Sequence, residues 1–342
     1  MINGHGDDVF NYPDIRINFS SNVYNHFNHE PLFAHLARCL HSVKNYPEPS
    51  PVRVEQTVAA MLGISSRHVM VTSGATEAIY LVAQAFRGSR TAILSPTFAE
   101  YADACRVHGH RLCHVNGLAE WQGCSDMFWL CNPNNPTGTV LERDVLTDCI
   151  REHPDIVFVI DASYAPFTPE PLVSAAEAVA LPNVVMIHSM TKEFAVPGLR
   201  IGYITAPEML TGRLRGLQMP WSVNSLAQEA ALYLLAHRNQ YALPLAALLQ
   251  ERERVAQALQ QVGGIGVHPS DTHILLCRLL RGTAADLKQR LAQDHGILIR
   301  DASNFHGLTP AHFRIAVQTP AENDELVAAI KKTLSTGHDT CQ

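Results

Sequence analysis

No stretch of this chain stays apolar for the roughly 20 residues that a membrane-crossing helix needs. The most hydrophobic segments, such as Ile156 to Ile160, have the length of a strand. Basic residues are not in excess: 26 lysines and arginines stand against 32 aspartates and glutamates, a formal net charge of −6. Nucleic acid and anionic membrane are therefore poor partners, and a small molecule is the expected one. The eight cysteines include no C-x-x-C pair. This argues against a zinc ribbon, a dithiol redox site or a disulfide framework, and it fits a reducing cytoplasm. The start, M-I-N-G-H-G-D-D-V-F, has acids where an export signal has a basic start and an apolar run, so export is not expected. No repeat or low-complexity tract is visible. His108, His110, Cys113 and His114 gather in H-G-H-R-L-C-H, but they read as a helix end leading into a short strand, and no metal is expected there.

What is present is an alternation. The 342 residues, 46% of them hydrophobic, suffice for about two domains. From Ser50 to about Thr205, helix-like and strand-like segments take turns, the pattern of an α/β domain with a mostly parallel mixed sheet flanked by helices. Ser50-Pro51 reads as a cap and first-turn proline, and Gly63 as the end of that helix. After about Asn224 long helical stretches and a few strands predict a smaller α+β domain. The expected division is an N-terminal arm over 1–25, a large domain over 26–238 and a small domain over 239–342.

In open α/β sheets ligands collect beyond the carboxyl ends of the strands, so the residues just after each apolar run carry the chemistry. In S-M-T-K-E-F-A-V-P-G-L-R, Ser189 to Arg200, Lys192 can form a Schiff base with an aldehyde, while Ser189 and Arg200 can hold a phosphate. The stretch lies between two strand-like runs, which predicts a loop for the lysine. Pyridoxal phosphate is the cofactor this suggests. In T-S-G-A-T-E a strand ends at Gly74 and a helix begins, aiming the amides of Ala75 and Thr76 at an anion. Asp161 follows the strand I-V-F-V-I, where a carboxylate needs a partner such as a protonated pyridine nitrogen. C-N-P-N-N-P-T-G imposes a tight loop from which Asn135 can offer its amide to a phenolic oxygen. In P-T-F-A-E-Y, Tyr101 or Phe98 can stack on a cofactor ring.

The order of these elements along the chain resembles the class I/II aminotransferase family, the fold-type I pyridoxal-phosphate enzymes, over nearly the whole length. The resemblance implies that Lys192 is the Schiff-base lysine, Asp161 the ring-nitrogen partner, and Asn135 and Tyr164 neighbours of the phenolic oxygen. It further implies that Tyr101 stacks on the ring, and that Gly74, Ala75, Thr76, Ser189 and Arg200 surround the phosphate. Tyr46 in N-Y-P-E-P looks like the tyrosine such enzymes contribute across a homodimer, and Arg314 in F-R-I-A-V like their substrate-carboxylate arginine. Within the family, M-T-K-E-F-A-V-P-G-L-R-I-G-Y, L-Q-M-P-W-S-V-N-S-L-A and I-L-I-R-D-A-S-N-F-H-G-L look like the threonine-phosphate decarboxylase of cobalamin biosynthesis. On that likeness His5, Asn22 and Arg300 surround the substrate phosphate. A histidinol-phosphate-type aminotransferase is the alternative. A non-catalytic binding protein on the same fold is a third reading, against which intact Lys192, Asp161 and Arg200 argue. Three departures touch substrate selection: Asp7 and Asp8 after His5-Gly6, Tyr24 where asparagine is usual, and D-A-S-Y at Asp161.

Overall fold

The computed structural model describes residues 6–121 and 123–336. The strands, in chain order, are β1 (Ile17–Asn18), β2 (Val69–Thr72), β3 (Arg90–Leu94), β4 (Arg111–Val115), β5 (Met127–Cys131), β6 (Val157–Asp161) and β7 (Val184–Ser189). They continue with β8 (Gly202–Thr205), β9 (Ile265–Val267), β10 (Ile274–Leu279), β11 (Ile297–Leu298), β12 (Arg300–Asp301) and β13 (His312–Ala316). Seven form the large sheet in the order β2-β8-β7-β6-β5-β3-β4, in which β8 alone runs against its neighbours. β5 and β8 are buried along their whole length, and β6 and β7 over most of theirs, as expected where helices cover both faces. The period of two then sorts β5 onto two cores. Trp129 packs with Ile79, Val82 and Val159 on one face, while Phe128 and Leu130 pack with Phe158 and Ile160 on the other.

A second sheet, β12-β13-β10-β9, is antiparallel and carries the helices Leu245–Val262, Ala284–His295 and Pro320–Thr336. The residues before Asn22 are stitched into this part of the molecule. β1 pairs in parallel with β11, the Phe19 amide donates to the Leu298 carbonyl at 2.8 Å, and the Phe19 carbonyl accepts from Ala316 at 2.9 Å. Ile17 and Phe19 are buried in the same core as Leu275, Phe313 and Ile315.

Two local expectations are corrected. The helix after Ser50 begins at Val52, with Pro51 in the capping position and no side-chain cap. Proline has no N–H to lose there, so it fits just ahead of the first turn. Lys192 lies not on a loop but in a one-turn helix, Met190–Glu193, that starts directly from the end of β7. The turn forms because Met190 and Phe194 reach the core, and the Phe194 amide returns to the Met190 carbonyl at 3.0 Å.

Phe19→Ala removes a fully buried ring from the second core, which costs about 3–5 kcal/mol. A lowered midpoint in urea or thermal unfolding is the expected outcome. An unchanged midpoint would show that this segment is not part of the cooperative unit.

Candidate active site

All strand ends that carry the singled-out residues open on one side of the large sheet, and the second sheet closes over them. The cleft between has a volume of about 210 Å³. Asn22, Ala75, Thr76, Tyr101, Asn135, Asp161, Tyr164, Ser189, Lys192, Arg200, Arg300 and Arg314 all line it. Gly74 opens the helix Gly74–Ala85 at its floor with φ of 76°, and a Cβ there would lie 2.7 Å from the Arg200 guanidinium. Only glycine allows both the left-handed turn and that approach. The helix N-terminus, Arg200 and Ser189 thus face one end of the cleft and form a cradle suited to a phosphate.

Asp161 is buried at the end of β6. Burial raises its pKa; hydrogen bonds from Ser163 and Tyr101, and the charge of Lys192, work the other way. The Tyr101 hydroxyl donates to it at 2.7 Å and the Ser163 amide at 2.9 Å. Tyr101 is itself wholly buried, with its ring stacked on Trp129 at 5.3 Å. Its hydroxyl is committed to orienting the carboxylate, and the aromatic ring left partly accessible on the cleft wall is that of Phe98.

Lys192 donates to the Ser21 carbonyl at 3.1 Å and lies 5.9 Å from the centre of the Tyr164 ring. Burial, with Arg314 and Arg200 adding to it, lowers its pKa from 10.5 to about 8, while Asp7 and Asp161 oppose the shift. The Tyr164 hydroxyl accepts from the Asn22 amide at 2.6 Å. Arg314 donates to Asn135 Oδ1, and at 2.6 Å to the Ser20 carbonyl. The loop that presents Asn135 is held shut by Gly138 donating to the Asn134 carbonyl at 2.7 Å. It is also pressed on the turn between β9 and β10, since a Cβ on Gly138, whose φ is 74°, would collide with Ser270 Oγ.

Arg300 and Arg314 are directly paired across β12 and β13, so both side chains leave the same face. Both are buried, and burial pushes both pKa values down, that of Arg314 to about 9 with Arg300 contributing. Arg300 also donates to Asn304 at 2.8 Å. The acids beside His5-Gly6 behave differently from each other. Asp8 is drawn 2.6 Å from Lys288, whereas Asp7 lines the cleft and accepts from Asn18 at 2.6 Å. His5 lies outside the described residues. Tyr24 is not at the cleft; it packs edge-on against His26 and Phe27. Tyr46 is likewise away from it, 83% exposed and tilted on Trp221.

The sequence offered no sign of Ser20 and Ser21, whose carbonyls accept from Arg314 and Lys192 respectively. It offered none of His273, a fully buried ring stacked on Phe167 at 3.9 Å and held neutral by a pKa near 3, the effect of burial first and of Arg314 second. Backbone acceptors and stacked core histidines leave no sequence signal.

A doubly covered, mostly parallel sheet with a half-buried lysine, a buried strand-end aspartate and a glycine-arginine phosphate cradle defines a fold-type I pyridoxal-phosphate enzyme. The chain belongs to the aminotransferase class I and II family, whose model matches residues 14–330. It is 30% identical to the threonine-phosphate decarboxylase of Salmonella typhimurium over 341 residues, covering 94% of this chain and 92% of that protein. It is 31% identical to a histidinol-phosphate aminotransferase of Thermoanaerobacter pseudethanolicus over 306 residues, covering 85% of each. Among solved structures, the L-threonine-O-3-phosphate decarboxylase of Porphyromonas gingivalis superposes with a TM-score of 0.91 at 40% identity, covering 93% of this chain and 99% of that one. The cofactor is pyridoxal 5′-phosphate. The residues present fit it, because the cradle at Gly74, the aspartate and the lysine stand along one cleft of its charge pattern.

With a pKa near 8, about a tenth of Lys192 is the neutral, nucleophilic amine at pH 7, against roughly three in ten thousand at its ordinary value. Cofactor-free protein should therefore capture pyridoxal phosphate at a rate that climbs through pH 8 and levels above it. Stopped-flow absorbance reads this directly. A rate still climbing steeply at pH 10, or capture that survives Lys192→Ala, would contradict the assignment of this amine.

Proposed function

We propose that this protein decarboxylates O-phospho-L-threonine to aminopropanol phosphate and carbon dioxide with pyridoxal phosphate as cofactor. The observation that carries the reading is the pair Arg300–Arg314. Two buried guanidinium groups side by side repel one another, and no acidic side chain pairs with Arg314 among the described residues, where its Nε is left without a hydrogen-bond partner. Such a pair is stabilised by a ligand bearing two anionic groups. The cradle at Gly74 serves the cofactor's phosphate, so a substrate's carboxylate falls to Arg314, with Arg300 beside it for the phosphate. The withdrawal of Asp8 to Lys288 lowers the repulsion that this acid would exert on such a phosphate. The resemblance of long strings to threonine-phosphate decarboxylases supports the same choice.

Pyridoxal phosphate, when bound, supplies an electron sink for charge that develops at the substrate α-carbon. The protein's part is placement. Asp161, fixed by Tyr101 and Ser163, keeps a carboxylate where the ring nitrogen needs a proton. Asn135 has its oxygen engaged by Arg314, so its amide nitrogen is the donor toward the phenolic oxygen, with Tyr164 beside it. Arg314 binds the substrate carboxylate bidentately, and Arg300, with Asn22 nearby, takes the phosphate. Holding a substrate at both ends is how Arg314 and Arg300 would fix the orientation of its α-carbon, and with it the choice of bond the cofactor's chemistry would weaken. Lys192, held at the Ser21 carbonyl beside Tyr164, would be the amine to hold and return a proton there.

The comparable identity to a histidinol-phosphate aminotransferase, 31%, supports a second reading, amino transfer from a phosphorylated amine. One assay separates the two. Offered phosphothreonine, the enzyme should release carbon dioxide, and Arg300→Gln should raise KM at least tenfold while kcat falls less. Amino transfer to 2-oxoglutarate without carbon dioxide would favour the second reading.

The same proposal includes a homodimer. Leu40, Val43 and Tyr46 are exposed on one segment, and Met219 and Trp221 are exposed beside Tyr46, an apolar patch suited to a second copy of the chain. Tyr46 would then reach the partner's phosphate cradle. Sedimentation should give a dimer, and Tyr46→Ala should weaken cofactor binding without changing the absorbance of the saturated enzyme. A monomer that binds the cofactor as tightly as wild type would remove this part of the proposal.

A further inference from the structure

Far from the strand ends, the helix Glu30–Cys39 packs on the helix Ser225–Ala236. His35 and Cys39 are four residues apart and so project from one face of the first helix. Glu229 meets them from the second. His35 Nε2 lies 3.7 Å from Cys39 Sγ and 3.8 Å from Glu229 Oε2, and Cys39 Sγ lies 3.9 Å from the same oxygen. The three donor atoms make a nearly equilateral triangle.

The two sulfur contacts lie at the weak end of sulfur hydrogen bonds, and the third is long for a direct bond. A nitrogen-to-carboxylate contact of 3.8 Å is neither a hydrogen bond nor a close ion pair. All three separations are close to what a shared ion requires: with metal–ligand lengths of about 2.0–2.3 Å, donors around a tetrahedral centre sit roughly 3.3–3.8 Å apart. The surroundings also orient the donors. Arg53 stands 3.8 Å from the other carboxylate oxygen, Glu229 Oε1, which leaves Oε2 turned to the histidine and cysteine. Tyr233 stacks on the His35 ring at 4.8 Å. His35 and Glu229 keep 24% and 30% of their side-chain surface accessible, so a water can complete a fourth position.

We propose that His35, Cys39 and Glu229 form a divalent metal site, with zinc as the best-matched ion. A nitrogen, a sulfur and an oxygen donor suit a borderline-soft cation with tetrahedral preference and exclude calcium or magnesium, which take oxygen. A thiolate and a carboxylate balance the two positive charges, so binding releases the Cys39 proton. The site is structural. It ties the helix Glu30–Cys39 to Ser225–Ala236, and the chain runs from Cys39 straight into the segment that carries Tyr46. A metal here stabilises the base of that segment without touching the reaction.

Cofactor-loaded enzyme stripped with a chelator and titrated with cobalt(II) should take up one equivalent per chain with a thiolate-to-cobalt charge-transfer band. Zinc should displace it with release of about one proton and should raise Tm. Cys39→Ser should abolish the band, and His35→Gln or Glu229→Gln should weaken binding at least tenfold. The cofactor absorbance of each variant reports that it is folded. A wild-type protein without the band, or a band that persists in Cys39→Ser and disappears when Cys113 and Cys124 are replaced, overturns the proposal.

Discussion

Asp161 and Arg314, and most of Lys192, are taken out of water at one place, and the protein provides each with less than full compensation. Burying charge in this way is costly, and it persists only where surrounding structure over-determines the geometry. The consequences run in three directions. Burial raises the pKa of the aspartate and lowers those of the lysine and the arginine, which puts groups of opposite sign within reach of changing protonation state or partner. A ligand that brings both a cation and anions, as a protonated pyridine with a carboxylate and phosphates does, finds counterparts already in position. The site is thereby organised for the bound state.

No single layer of the fold could hold these groups together. The large sheet delivers Asp161 and Lys192 from adjacent strands, β6 and β7, and places Gly74 at the end of β2. Arg300 and Arg314 arrive from the second sheet. Residues 17 to 22 then run between the two, giving β1 to the second part of the molecule and the Ser20 and Ser21 carbonyls to Arg314 and Lys192. A carbonyl accepts a charged donor without carrying a charge, so it partners a cation that must remain available to a ligand. The Gly138 turn presses on Ser270 between β9 and β10, and the same loop brings Asn135 to Arg314.

Much of the site was legible from residue order. Strand-end positions of a parallel sheet fall on one edge, so Asp161, Lys192 and the turn at Gly74 had to be neighbours once each apolar run was read as a strand. N-P-N-N-P-T-G announced its loop through proline and glycine. Other features were not legible. Tyr101 and Phe98 are three residues apart in one aromatic string and both line the cleft, yet Tyr101 is closed over by Trp129 and bonded to Asp161 while Phe98 keeps part of its ring accessible. Asp7 and Asp8 are neighbours, and Lys288, distant in sequence, takes only the second. The helical turn under Lys192 depends on Met190 and Phe194 finding core contacts that no local pattern reveals.

The sequence by itself determined the alternation of elements, the chemistry at each strand end and the family to which the chain belongs, because these rest on local periodicity and on residue types in a fixed order. Tertiary structure alone decided which arginines stand side by side, which acid is neutralised, which aromatic remains accessible and where His35 and Cys39 encounter Glu229. Each of these is a meeting of residues far apart in the chain. Burial and partnership, the quantities that set charge state and function, exist only after the helices and the two sheets have packed.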